Sequence, residues 1–309
     1  MILLLLSLVA FDFSPRDSCW SLVTLAEIPE RALLFAEMAA GESGQGTLDM
    51  GRLLEAAGRF AEASSYYRTI AAPGSDPDLV RWLSDRRSGS LPLDTTLVFE
   101  TTLTNRGTGT VTDLTMIIPA PVSHPPYQEI EVTGGDFTRE GGLMSLHIDS
   151  LEGGETLRAY LEVHVAQEPY TFRPIPDPID GTSLETISSM LSGIPVPEDY
   201  TGSGPCFDMS LTMMEESREA GLDMGITGGL VRRGDSLVFH AWNVLEEGVA
   251  GMPLDPLFWK TDTLFAVGHC PTDVIPLWDL LSTDGSELVV LYPSQEADLA
   301  IGMVVSFSP

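Results

Sequence analysis

Gly202-Ser-Gly-Pro-Cys-Phe-Asp-Met-Ser-Leu-Thr-Met-Met-Glu-Glu-Ser-Arg-Glu-Ala-Gly221 decides how the last third of the chain is read. A Gly/Pro-rich loop runs straight into a helix, because Phe207, Leu211 and Met214 recur at i, i+4 and i+7, one face of a 3.6-residue period. Gly221 stands where a helix closes on a left-handed C′ residue. Cys206 therefore falls in the first turn. Unpaired backbone N–H groups and the positive end of the helix dipole favour a thiolate there and lower a thiol's pKa. The same N–H groups can donate to an oxyanion. The competing reading is a buried structural thiol, since free Cys is among the most buried residue types.

Downstream, Leu237-Val-Phe-His-Ala-Trp-Asn-Val-Leu245 has strand composition. Residues 249–255 read as its return strand, ended by Pro256, with Glu246-Glu-Gly248 as the turn. A turn centred on Glu247 and Gly248 places His240 directly opposite Asp255, within the reach of cross-strand neighbours. An Asp in that place holds an imidazole in one tautomer and stabilises its protonated form. Trp242 is expected to point away from His240 and into the core. His269 and Cys270 are adjacent, but no third ligand or base accompanies them, and Cys270 reads as structural.

Three fragments now stand in order: Gly204-x-Cys206-x-Asp208-x-Ser210 with its helix ending Ala-Gly-Leu, then Phe239-His-Ala-Trp-Asn243, then Pro253-Leu-Asp-Pro256. They resemble the nucleophile, histidine and aspartate motifs of the transglutaminase-like superfamily. The resemblance implies a papain-like α+β domain over residues 197–309, with Cys206 as nucleophile, His240 as base and acid, and Asp255 as orienter. Tyr200 and Phe207 are candidates for the oxyanion or cleft surface. For Tyr200 the alternative is a linker aromatic packed on the domain. No cofactor is expected, nothing carries over the calcium dependence of animal members, and no Cys/His spacing suggests zinc.

Upstream, the hydrophobic period is two from Thr95 to Val165. Leu97, Phe99, Thr101 and Leu103 alternate with Val98, Glu100 and Thr102, and Leu157 to Val165 repeats the pattern. An antiparallel β-sandwich is expected over residues 92–166. Thr104-Asn-Arg-Gly107, Ile118-Pro-Ala-Pro121 and Leu151-Glu-Gly-Gly-Glu155 resemble the β-domain preceding the catalytic domain in many bacterial members. Residues 167–196 are Pro-rich and read as a linker with one short helix near Leu184 to Leu191.

Residues 22–88 read as helical, with apolar and alanine-rich steps of three and four. The run Gly58-Arg-Phe-Ala-Glu-Ala-Ser-Ser-Tyr-Tyr-Arg68 resembles one tetratricopeptide unit, which would offer a surface to a protein partner. A generic helical hairpin packed on the next domain fits equally. Asp76-Pro77 would open the following helix. Met1 to Ala10 resembles the apolar region of a signal peptide, although no Lys or Arg precedes it. Residues 1–20 are thus expected as a leader, with export to the periplasm or exterior; the alternative is a buried segment of a cytoplasmic chain. No later apolar run is long enough to span a bilayer.

Composition narrows the function classes. The 309 residues carry 16 basic against 45 acidic side chains, a net charge of −29. Such a field repels phosphate backbones and anionic lipid, which argues against nucleic-acid or membrane-surface binding. Three cysteines do not make a disulfide framework, and the odd count leaves at least one thiol free. Two functional readings follow. One is a thiol acyl-transfer enzyme acting on protein or peptide amides, as hydrolase or transamidase. The other is a catalytically weakened scaffold that binds protein partners, favoured by Gly251 where the family carries Trp.

Overall fold

The computed structural model describes residues 14–70, 76–179, 181–197, 204–234, 236–246, 251–281, 290–291 and 298–308. The chain opens with five helices: α1 (Pro15–Trp20), α2 (Glu30–Ala40), α3 (Gly44–Ala56), α4 (Phe60–Ile70) and α5 (Pro77–Gly89). Residues 15–20, the end of the expected leader, form α1. The Ser14 hydroxyl accepts from the Asp17 N–H, Pro15 holds the first helical position, and Cys19 is buried in the helical core. A capping Ser followed by Pro is a helix-start signal, and the apolar run before it masked that signal. Met1 to Ala10 lies outside the described residues. Helices α3 and α4 fold back at Gly58, whose φ of 78° is left-handed, with Ala63 and Tyr67 buried in the crossing. The region is a helical layer packed on the rest of the protein. No helix among the described residues is long and apolar enough to cross a membrane.

Strands β1 (Leu93–Asn105), β2 (Val111–Pro119), β3 (Gln128–Gly135), β4 (Thr138–Glu140), β5 (Leu143–Leu151) and β6 (Thr156–Gln167) follow. The remaining elements are β7 (Tyr170–Thr171), α6 (Leu184–Gly193), α7 (Pro205–Glu219), β8 (Met224–Arg233), β9 (Ser236–Leu245) and β10 (Met252–Leu254). After them come α8 (Pro256–Trp259), β11 (His269–Cys270), β12 (Val274–Leu281), β13 (Val290–Leu291) and β14 (Leu299–Phe307). All the sheets are antiparallel. Two of them run β14-β1-β6-β3 and β13-β2-β5-β4; a third runs β10-β9-β8-β12.

Two expected boundaries are corrected by these pairings. The sandwich does not end at residue 166, because β13 and β14 belong to its sheets. β14 pairs with β1 from Leu97↔Phe307 to Asn105↔Leu299. Its odd-numbered Met303, Val305 and Phe307 pack on the sandwich core, the face a period-two strand must cover. Residues 167–196 are not a linker either. Ile175, Ile179, Leu184, Ile187 and Leu191 are buried with Met209 and Met213 of α7 and Leu254 of β10 in one core. The Arg173 guanidinium donates to the Leu25 and Leu264 carbonyls.

The layers share cores. Leu230, Ile275, Leu277 and Trp278 of the third sheet are buried together with Phe99, Met116 and Leu161 of the sandwich. On the other flank, Leu264 and Phe265 complete the helical core. Glu55 of α3 is fully buried there, accepting from Arg86 of α5 and Tyr67 of α4, each at 2.5 Å, and facing His269 Nε2 of β11 at 3.0 Å. Burial would raise the Glu55 carboxyl, but Arg86, His269 and Tyr67 outweigh it and hold it below the ordinary value.

Candidate functional site

Gly204 begins the site. Its φ of 84° is a left-handed N-cap conformation that L side chains rarely adopt. Pro205 then takes the first helical position, and Cys206 lands in the first turn of α7, as the sequence implies. At the far end Gly221, with φ of 78°, is the C′ residue, and the Leu222 N–H returns to the Ser217 carbonyl at 2.9 Å. That bond is the Schellman closure. α7 is fixed along its length: Met209 and Met213 enter the core shared with α6, and Asn243 of β9 donates through Nδ2 to the Ser210 carbonyl at 2.8 Å.

His240 lies on β9 where β10 no longer flanks it. The hairpin register is Met252↔Leu245, Pro253↔Val244 and Leu254↔Asn243. Asp255 therefore falls beside Trp242, two residues from the expected partner. The turn is longer than the two-residue centre assumed; residues 247–250 of it lie outside the described residues. Asp255 reaches His240 diagonally, and its Oδ2 stands 2.6 Å from Nε2. Diagonal cross-strand neighbours remain within reach of longer side chains. Asp255 has left the strand to become the N-cap of α8, its Oδ1 accepting from the Leu257 and Phe258 N–H groups at 3.0 and 2.9 Å. One carboxylate thus caps a helix with one oxygen and holds the imidazole with the other.

The expectation for Trp242 is also corrected. Residues i and i+2 of a strand share a face, so Trp242 lies beside His240, ring centroids 5.7 Å apart. Phe258 stacks on the imidazole at 5.3 Å. With Nε2 engaged by Asp255, the remaining ring nitrogen, Nδ1, is the one left to the thiol. All three residues are buried.

The electrostatics set Cys206 apart from the other thiols. Burial alone would push its thiol up. The hydrogen bond and charge of His240, followed by the Ala241 and Phe207 backbone groups, outweigh burial and hold it below the ordinary value. For His240, burial works downward, but the Asp255 charge and hydrogen bond and then Cys206 push it up to about 10. Each partner thus stabilises the other's charged form. In contrast, burial and the Asp49 charge push Cys19 up to about 11. Burial pushes Cys270 up to about 12.

No protein-family model and no curated protein matches the chain. Among solved structures it is similar to the crystal structure of a "putative cysteine protease" from Cytophaga hutchinsonii, at 10% sequence identity and a TM-score of 0.39. The match covers 71% of this chain and 100% of that one. A likeness of that size leaves the family unassigned, and the chemistry is argued from the side chains.

Phe207, expected at the cleft, lines it beside Cys206. Tyr200 lies outside the described residues. Sequence reasoning missed Asn243 and Ser210 as the fastener between α7 and β9, and Phe258 as the ring over His240. The Asp-Pro pair at 255–256 was readable as a helix start, as at Asp76-Pro77, and would have placed Phe258 one turn from the carboxylate. The sole lysine, Lys260, follows α8 and donates to the Leu191 and Ser192 carbonyls at the end of α6. No group of three or more His, Cys, Asp or Glu among the described residues is placed to hold a metal ion.

Proposed function

We propose that this protein is a thiol acyl-transfer enzyme of the transglutaminase-like, papain-like type, acting on protein or peptide amides. The observation that carries the reading is His240, set between the Cys206 thiol and the Asp255 carboxylate, which stands 2.6 Å away. The Cys206 thiolate attacks the amide carbonyl carbon, forming the C–S bond. Backbone N–H groups in the first turn of α7 are the donors the reading assigns to the oxyanion. As the C–N bond breaks, His240 gives its proton to the departing amine, leaving an acyl-thioester. Water or an amine then attacks that thioester with His240 as base, and Cys206 is released. Water makes the protein a hydrolase; an amine makes it a transamidase.

Incubation with a peptide library, followed by mass spectrometry of the Cys206 peptide, tests this. An acyl adduct on Cys206, absent in Cys206→Ala, is expected. Turnover that survives Cys206→Ala would sink the mechanism. The scaffold reading draws on Gly251, which leaves that position without a side chain, and it expects no adduct while partner capture persists in Cys206→Ser. Export, and protein binding by the helical layer, belong to this proposal as its cellular setting.

A further inference from the structure

Cys206 and His240 open on a cleft of about 310 Å³, the small end of the roughly 300–1,000 Å³ typical of ligand pockets. Among the described residues, its other walls are Phe207, Phe239, Ala241, Trp278, Leu280 and the backbone of Gly228 and Gly229. Among the described residues, no carboxylate, guanidinium or amide side chain lines it. A charged or amide group placed against these apolar walls would give up water for apolar contacts, an unfavourable transfer. An apolar group would gain from the same desolvation.

The floor is built to leave room. Phe239 and Ala241 project from one face of β9, opposite Leu230 and Gly228 of β8, while Gly228 pairs with Trp278 of β12. Phe239 is 46% exposed although its ring stacks on Trp278 at 6.0 Å. Trp278 is in turn braced edge-on by Phe99 of the sandwich at 5.7 Å. A rigid aromatic wall therefore stands open beside the thiol. At Gly228 a Cβ would come within 2.5 Å of Leu280 Cδ1, so any side chain there would displace Leu280, itself a wall of the cleft.

We infer that this cleft receives one large apolar side chain, aromatic or branched aliphatic, carried by the acyl group that Cys206 accepts, and that Gly228 and Leu280 set its size limit. The inference rests on the acyl-transfer reading above and names the substrate class for that site. The step stays the same: the thiolate adds to the carbonyl carbon beside this side chain, and the leaving group departs with the electron pair of its own bond.

The test uses the full chain and p-nitrophenyl esters of N-acetyl-Phe, -Leu, -Ala and -Asp, each rate divided by that ester's rate with free cysteine. Thiolysis forms the C–S bond and releases p-nitrophenolate, while mass spectrometry identifies the acylated residue. The Phe and Leu esters are expected to acylate Cys206 at least about tenfold faster than Ala, and Asp slowest, the scale by which apolar pockets discriminate. In Gly228→Val the Phe-to-Ala ratio should fall at least about tenfold. In Leu280→Ala the Phe-to-Leu ratio should rise. Ratios within one preparation cancel any loss of folded protein. Acylation of Cys206 by all four esters without preference, or ratios unmoved in both variants, overturns the subsite and leaves the acyl-transfer reading standing. No adduct on Cys206 from any ester brings down both.

Discussion

Asn243 of β9 donates through Nδ2 to the Ser210 carbonyl of α7 across 2.8 Å of buried space. Asn243 lies three residues after His240, and Ser210 lies four after Cys206, so this bond helps set the distance between those two side chains. Its amide also reaches the Gly225 carbonyl at 3.5 Å. Asn243→Leu should cost about 1–3 kcal/mol for the buried partners it strands, and Cys206 should react more slowly with iodoacetamide. Denaturant unfolding and alkylation kinetics check both. A variant of wild-type stability with unchanged alkylation removes the fastener role.

The Cys206 thiol lies below its ordinary value chiefly because His240 outweighs burial. Its thiolate should persist below the free-thiol range near pH 8.5 and disappear only as pH falls through the folded-state value. Iodoacetamide should therefore label Cys206 faster than free cysteine at pH 6–7. His240→Ala leaves burial unopposed by the imidazolium, and labelling at pH 7 should drop at least about tenfold, the factor for one pKa unit. The raised His240 value adds stability that is full below about pH 6.5 and is lost as pH rises through about 10. The stability gap between wild type and His240→Ala should thus narrow at alkaline pH.

Asp255 does two jobs, and two substitutions separate them. Asp255→Asn retains a cap-competent oxygen for the Leu257 and Phe258 N–H groups but removes the charge beside His240. The cap should be kept, but the stability that the Asp255 charge lends through His240 should be lost at neutral pH, while acylation should fall by roughly 10²–10⁴, as for loss of the orienting carboxylate in a triad. Asp255→Ala should lose activity and also about 1 kcal/mol of helix capping. Thermal melts and ester turnover distinguish the pair. Full turnover in Asp255→Asn would exclude Asp255 as the orienter.

Asp273 is buried between the helical layer and the third sheet, with one carboxylate oxygen lacking a hydrogen-bond partner. Burial pushes it up to about 6, against the pull of Arg86. Its folded value lies above the unfolded one near 3.9, so the stability that Asp273 contributes should decline as pH rises from about 4 to about 6 and then level off. Asp273→Asn should be nearly neutral at pH 4 and stabilising at pH 7.5. A stability difference that does not change with pH contradicts this.

Glu55 binds Arg86, Tyr67 and His269 at once. Glu55→Gln leaves the buried Arg86 charge without its counterion, which should destabilise the protein by about 3–5 kcal/mol. Its folded value is lowered, so the loss should be present above about pH 5 and shrink as pH falls through that value. Urea melts at pH 4 and pH 7 measure it. A loss at pH 4 larger than that at pH 7 would place the effect in packing rather than charge.

What the sequence disclosed was local. The helix at Cys206 was readable because its signals lie within one turn of each other: Gly204-Pro205 before the thiol, the apolar period after it, Gly221 at the end. The pairing of His240 with Asp255 was readable in residue type, yet the register was not, since it depends on how many residues the turn consumes. Trp242 was misplaced by a parity that period two alone should have fixed. The return of β14 to β1 left no local mark. Leu299 to Phe307 forms a strand, but nothing in those residues names a partner far upstream. Likewise the Pro-rich 167–196 segment resembled a tether because proline blocks ladders locally, while Ile175, Ile179 and Ile187 find their partners only in three dimensions.

The return of β14 also has a consequence in time. Thr102 and Gly302 meet across the β1–β14 pair although 200 positions separate them. A ribosome adding about 5–20 residues per second needs roughly 10–40 s to cover that gap. During this interval β1 has β6 on one edge and open hydrogen-bonding groups on the other, and the sheet that braces Trp278 is unfinished. Long-range closures of this kind come late in folding. The nascent chain thus carries Cys206 for several seconds before the sheet that braces Trp278 is complete.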